Sequence, residues 1–229
     1  MKIRRVSIKE AYKLWAKRYE RDLPYLFEME SEKVIPLLGN VRGKHVLDLG
    51  CGTGRYSIAL ARKGAIVTAV DSSKEMIAVA ERKAKSANVQ INFECIDIRK
   101  KLPYPKESFD IVLSMLVLGH FKHLKVIFNK IARILRMGGL CIISTFHPSK
   151  KGKPNEKFIL VQSLGITAKT YKQSVKEYFN VIKKVNLSLE KFLELKFPKK
   201  IIQKAKKEGV DLEPYSHKPF LMVFKAVKR

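Results

Sequence analysis

Val46-Leu47-Asp48-Leu49-Gly50-Cys51-Gly52-Thr53-Gly54 decides the fold. An apolar run meets an acid, and the chain then turns through three alternating glycines. Helical spacing follows over 55–63, with Ile58, Leu60 and Ala61 apolar and Gly64 as the stop. Glycine belongs where φ is positive or where a ligand packs against the backbone. A strand that ends in such a turn and enters a helix lies at the C-terminal edge of a parallel sheet, where open α/β sheets bind ligands. The spacing also excludes alternatives. The dinucleotide fingerprint G-x-G-x-x-G requires its third glycine where Arg55 stands, which disfavours a nicotinamide oxidoreductase. A phosphate-binding loop of the nucleotide hydrolases requires Gly-Lys-Ser/Thr, which is absent here.

Strand-like and helix-like segments alternate outward from this turn. Residues 65–70 form a β-branched strand, and 73–86 a helix with Ser72 or Ser73 as N-cap. A third strand falls at 90–95 and a fourth at 109–115. Residues 122–136 read as a long amphipathic helix ended by Gly138-Gly139, and 140–146 as a fifth strand. After His147-Pro148 the pattern weakens. It predicts a loop over 150–155, a helix over 173–184, a strand over 187–197, a basic helix over 198–208 opened by proline, and a last strand over 220–227. On the N-terminal side, 8–19 reads as a helix with Tyr12, Trp15 and Tyr19 near one face, placed to fold over the sheet edge as a lid. Alternation of this kind predicts an α/β fold, a parallel sheet with helices on both faces.

Two further acids follow the next two strands. Asp71 ends the second, where a carboxylate can accept both hydroxyls of a ribose. Asp97 follows the third beside Ile98, an arrangement suited to an adenine: the acid accepts from the amino group and the apolar side chain packs on the ring. Asp48, Asp71 and Asp97 thus stand after three successive strands at one sheet edge.

Composition bounds the rest. The 229 residues are 46% hydrophobic, an ordinary globular content, and no apolar run approaches the ~20 residues that span a membrane. The basic N-terminus is followed by no apolar stretch, so no secretory leader is expected. Cys51, Cys95 and Cys141 lack metal-site spacing and read as reduced thiols, so no metal and a cytoplasmic location are expected. Lys and Arg total 47 against 21 acids, a net charge of +26, and residues 150–229 alone carry 20 basic and 7 acidic groups. An anionic partner such as RNA would explain the excess, as would lysine-rich solvated helix faces.

Residues 46–146 resemble the class I S-adenosylmethionine-dependent methyltransferases, in particular the methyltransferase-11-like group. Asp48 to Gly54 matches that family's first motif, Asp71 its ribose-binding acid and Asp97 its adenine-binding acid. Phe109-Asp110-Ile111-Val112 and Leu135-Arg136-Met137-Gly138-Gly139 resemble its fourth strand and the turn into its fifth. The resemblance implies a Rossmann-like, seven-stranded, mostly parallel sheet in which only the last strand is antiparallel. It implies one methyltransferase domain over 1–229: an N-terminal helical lid at 1–44, a cofactor-binding core at 45–147, and a variable substrate-facing part with the last strands at 148–229. The cofactor implied is S-adenosyl-L-methionine, bordered by Tyr19, Asp48, Gly50, Cys51, Gly52, Gly54, Asp71, Ser72, Met76, Asp97, Ile98, Ser114 and Met115.

Each role has a plainer reading beside it. Met76 packs on the adenine or is core; Asp48 orients the cofactor's amino group or caps a turn. His120 is a general base for an acceptor hydroxyl or amine, or is bonded to backbone at a helix start. The Asn-Pro-Pro-Tyr that holds exocyclic base amines in nucleic-acid N-methyltransferases is absent. A small-molecule acceptor is therefore expected ahead of RNA. A non-catalytic cofactor- or RNA-binding module is disfavoured by the retained acids. Oligomeric state is not legible.

Overall fold

An N-terminal stretch with weak sequence signals folds into a strand and three helices. The computed structural model describes residues 3–100, 102–148 and 157–229. After β1 (Arg4–Val6), Ser7 caps α1 (Ile8–Trp15), its hydroxyl accepting from Glu10 N at 3.1 Å. The helix expected over 8–19 breaks after Trp15, and Tyr19 opens a separate single-turn α2 (Tyr19–Asp22). The Trp15 indole N–H donates to Asp22 at 2.8 Å and ties the two pieces together. Helix α3 (Pro24–Val34) opens on proline, whose fixed φ suits a first turn that needs no N–H.

The α/β alternation then runs β2 (His45–Leu49), α4 (Arg55–Ala61), β3 (Ile66–Asp71), α5 (Lys74–Ser86), β4 (Asn92–Cys95), β5 (Phe109–Met115), α6 (Leu124–Ile134) and β6 (Leu135–Phe146). Ser73, not Ser72, caps α5, accepting from Met76 N at 3.3 Å. The rest comprises β7 (Lys157–Val161), β8 (Ile166–Thr170), α7 (Val175–Lys183), β9 (Leu187–Leu195), α8 (Lys199–Lys207) and β10 (Leu221–Lys228). A reciprocal capping box between Ser174 and Glu177 starts α7. The loop expected over 150–155 lies outside the described residues.

Helix α6 ends four residues before Gly138. Leu135 is already extended and pairs with Phe109, and the register then slips so that Ile111 faces Leu140. Gly138 and Gly139 lie in that bulge, where four residues of β6 (136–139) face Asp110 alone, inside β6 and not at a helix end. The apolar helical period runs on past the true end, which is why the pattern overshoots.

Seven strands form one sheet in the order β4-β3-β2-β5-β6-β10-β9. Only β10 runs antiparallel to its neighbours, as the resemblance implied. Alternation along the strands fills both faces: Val46 and Ile142 join the core under α3, α4 and α8, whereas Leu47, Leu49, Cys141 and Ile143 join the core under α6 and α7. A second sheet, β1-β8-β7, was not foreseen. It pairs the first strand with one some 160 residues later, and α1 packs on it through Ala11 and Trp15. Among the described residues no helix is long and apolar enough to cross a membrane.

Gly54 has φ 77°, and a Cβ there would lie 2.9 Å from Ala80 Cβ on α5. Gly138 has a similar φ of 73° with open space around it. Gly54→Ala is expected to cost about 2–3 kcal/mol in urea unfolding and Gly138→Ala about 1–2, because only the first adds a packing conflict to left-handed strain. Equal losses would remove the packing role of Gly54.

Candidate functional site

Strands β2, β3 and β5 end at one edge of the sheet, and the first residues beyond each converge. The Gly50 and Cys51 amides both donate to the Val70 carbonyl, at 2.8 and 2.9 Å, so the glycine turn hangs on the end of β3. A Cβ on Gly50 would fall 2.4 Å from Val117 Cγ2, so a close approach demands glycine there. A Cβ on Gly52 would meet nothing nearer than the Tyr19 ring at 3.8 Å. Its backbone is therefore bare towards the cleft.

Asp71 keys this edge. One carboxylate oxygen accepts from Gly52 N at 3.0 Å, the other from Ser73 N at 2.9 Å. Burial pushes its carboxyl up from the ordinary value, and the amides of Ser73 and Gly52 oppose that rise. Asp97 is gripped by Arg99 as a fork, with both nitrogen–oxygen distances 2.8 Å, which holds its carboxyl below the ordinary value. Lys130 donates to the carbonyls of Ile98 and Arg99 at 3.0 and 2.8 Å and pins that turn from below.

Beyond β5 the backbone passes through Leu116, a non-glycine residue at φ 62°, into a single 3-10 turn, Leu118–His120. His120 Nε2 lies 2.9 Å from the Tyr12 hydroxyl on α1. Its Nδ1 is enclosed and has no partner among the described residues. Enclosure of the ring, with the Arg99 charge as a lesser cause, lowers its pKa to about 4, and burial raises that of Tyr12. Tyr12 also stacks on Trp15 and meets Tyr19 edge-on, so α1 and α2 form one wall of the cleft.

The cleft encloses about 90 Å³ and is partly open to solvent. Of the residues the sequence singled out, Tyr19, Gly50, Gly52, Asp71, Ser72, Asp97, Ile98, Met115 and His120 line it. Asp48, Cys51, Gly54, Met76 and Ser114 do not, and stand behind it. Asp48 is buried and accepts from the Ser57 hydroxyl at 2.5 Å, and burial raises its pKa to about 6. Cys51 is buried, Gly54 abuts α5, Met76 is fully enclosed in the first turn of α5, and the Ser114 hydroxyl donates to the Leu49 carbonyl. The remaining lining comes from Ile8, Tyr12, Arg99, Leu116, Val117 and Phe121. Arg99 carries a signal that sequence reading missed: a residue two past an aspartate can donate its amide to that carboxylate, and Arg99 N does so at 3.0 Å.

Residues 47–143 match the model of the family described as a methyltransferase domain. A ubiquinone biosynthesis O-methyltransferase of Coxiella burnetii is 40% identical over 111 residues, 48% of this chain and 47% of that protein. The chain thus spans about half the length of the curated relatives it matches. Among solved structures, an S-adenosylmethionine dependent methyltransferase from Mesorhizobium loti superposes with a TM-score of 0.72 at 22% identity, over 87% of this chain and 98% of the other. The magnesium protoporphyrin IX methyltransferase of Synechocystis with bound S-adenosylhomocysteine gives 0.71 at 19% identity, over 97% and 98%. At these identities the structural likeness is one of fold.

Because the folded pKa of His120 is depressed, the neutral ring's contribution to stability is full above its ordinary value of about 6.5 and is lost as pH falls towards 4. An NMR titration of the His120 ring should give a midpoint near 4. A midpoint at or above 6.5 would mean the ring is not enclosed as described.

Proposed function

With a methyltransferase domain over residues 47–143 and the class I fold around it, we propose that this chain is an S-adenosylmethionine-dependent methyltransferase. We further propose that it acts on a hydroxyl group of a small aromatic molecule. When bound, the cofactor supplies an activated methyl group on a sulfonium. The residues present suit it. The bare backbone of Gly52 leaves room for the methionine part, and the Asp71 carboxylate, held by two amides, has lone pairs left for ribose hydroxyls. Asp97 and Ile98 border the adenine, with Arg99 fixing the acid. Asp48, Cys51, Gly54, Met76 and Ser114 act from behind by holding the turn.

One observation carries the acceptor reading: an uncharged His120 in the cleft with an unpartnered Nδ1. In the tautomer whose Nε2–H donates to the Tyr12 hydroxyl, the lone pair sits on Nδ1, which binding of the acceptor must uncover. An acceptor hydroxyl donates to that nitrogen and passes its proton there as the oxygen is methylated. The apolar and aromatic side chains of Tyr12, Met115, Val117 and Phe121 favour a flat ring, and the O-methyltransferase relatives agree with oxygen as the methylated atom. Catalysis comes chiefly from alignment and exclusion of water, for which the α1–α2 wall is placed. The lysine excess supports no competing RNA reading, since α7 and α8 pack on opposite cores and spread the charge over two sides.

Incubating the protein with a methyl-labelled cofactor and simple catechols, read by mass spectrometry, tests this. Label should appear on oxygen, and His120→Gln should lower kcat on the order of 10²-fold while leaving cofactor affinity within about twofold. No label on any phenol, with cofactor binding intact, would overturn the acceptor assignment alone.

A further inference from the structure

A buried carboxylate on α3 is linked to the cleft through other residues without touching it. Glu30, on α3, is fully enclosed. One of its oxygens pairs with Arg55, the first residue after the glycine turn, and the other accepts from the Ser144 hydroxyl on β6. The same Ser144 oxygen accepts from Leu116 N at 3.1 Å, and that amide also donates to the Ser144 carbonyl at 2.9 Å. Leu116 is the left-handed residue at the end of β5, a conformation that persists only where its surroundings hold it. Val117 comes next and fills the space a side chain on Gly50 would need, and the 3-10 turn carrying His120 follows.

Arg55 extends the chain of contacts to the opposite wall. Its guanidinium sits 4.3 Å over the Phe27 ring and donates to the Ser31 hydroxyl at 2.5 Å, and Phe27 lies 5.2 Å from Tyr19. A buried charged pair is costly in a core and persists when its remaining lone pairs are satisfied, as those of Glu30 are here.

We propose that Glu30 and Ser144 are positioning residues: their buried contact fixes the backbone of Leu116 and Val117, and thereby sets both the cofactor seat at Gly50 and the placement of His120. This rests on the methyltransferase reading of the cleft for its functional half only. Neither residue touches the cleft. Ser144 acts through the amide of Leu116, and Glu30 acts by holding the Ser144 hydroxyl, its own orientation locked by Arg55.

The test combines amide hydrogen exchange with calorimetric titration of S-adenosylhomocysteine, on wild type, Ser144→Ala, Ser144→Thr and Glu30→Gln. Ser144→Ala leaves the Glu30–Arg55 pair intact and is the variant least prone to unfold. Exchange at Leu116 and Val117 should rise about tenfold relative to Val67 and Ala69 in β3, affinity should fall about tenfold, and Ser144→Thr should restore both. Glu30→Gln should repeat the Ser144→Ala pattern. A rise shared equally by β3 would mark a general loss of stability and overturn the inference. So would an unchanged Leu116, or a local rise with unchanged affinity. If wild type binds no S-adenosylhomocysteine, the methyltransferase reading falls, and the relative exchange rates alone decide whether Ser144 positions Leu116.

Discussion

Two backbone amides donate to one carboxylate, and the rest of the cleft is arranged around that fact. Asp71 bridges Gly52 and Ser73, joining the glycine turn to the cap of α5. A buried carboxylate without such donors would cost several kcal/mol, so the turn and the helix cap are as much conditions for Asp71 as it is for them. The glycine turn can lie this close because Gly50 and Cys51 already hang on the last carbonyl but one of β3. One sheet edge thereby presents bare backbone and a held acid side by side.

The cleft is completed from both ends of the chain. The N-terminal helices are tied to the turn by buried or half-buried polar contacts: Glu20 accepts from the Thr53 hydroxyl and from Lys83, and Glu30 pairs with Arg55. From the other side, the Tyr171 amide after β8 donates to the Gly119 carbonyl at 2.7 Å, beside His120. The small sheet β1-β8-β7 therefore abuts the cleft beside His120, and α1 lies between it and α5. Residues distant in sequence meet on His120: Tyr12 holds one ring nitrogen, and the other has no partner among the described residues.

Much of this was legible because glycine spacing and acids after strands are dictated by backbone geometry. Gly50, Gly52, Asp71 and Asp97 line the cleft for that reason. What the spacing did not carry was the side each neighbour faces. Ser114 precedes Met115 on one strand, so when Met115 reaches the cleft, Ser114 turns to the Leu49 carbonyl. Met76 has the residue type of a ligand contact, but the cap at Ser73 turns it into the core. Strand β1 was invisible because three residues pair with a segment far along the chain, and no local pattern encodes that. The polar links from α3 were equally hidden: Glu30 looks like a solvated helix acid until Arg55 and Ser144 are brought to it.

The central claim is that Asp71 and the glycine turn seat an adenosyl group. Calorimetric titration with S-adenosylhomocysteine on wild type and Asp71→Asn tests it most directly. The account predicts roughly micromolar binding by wild type and a loss of at least about tenfold in the variant, which keeps the side chain's shape and removes its charge. A wild type that binds nothing, or a variant that binds as tightly, would contradict it.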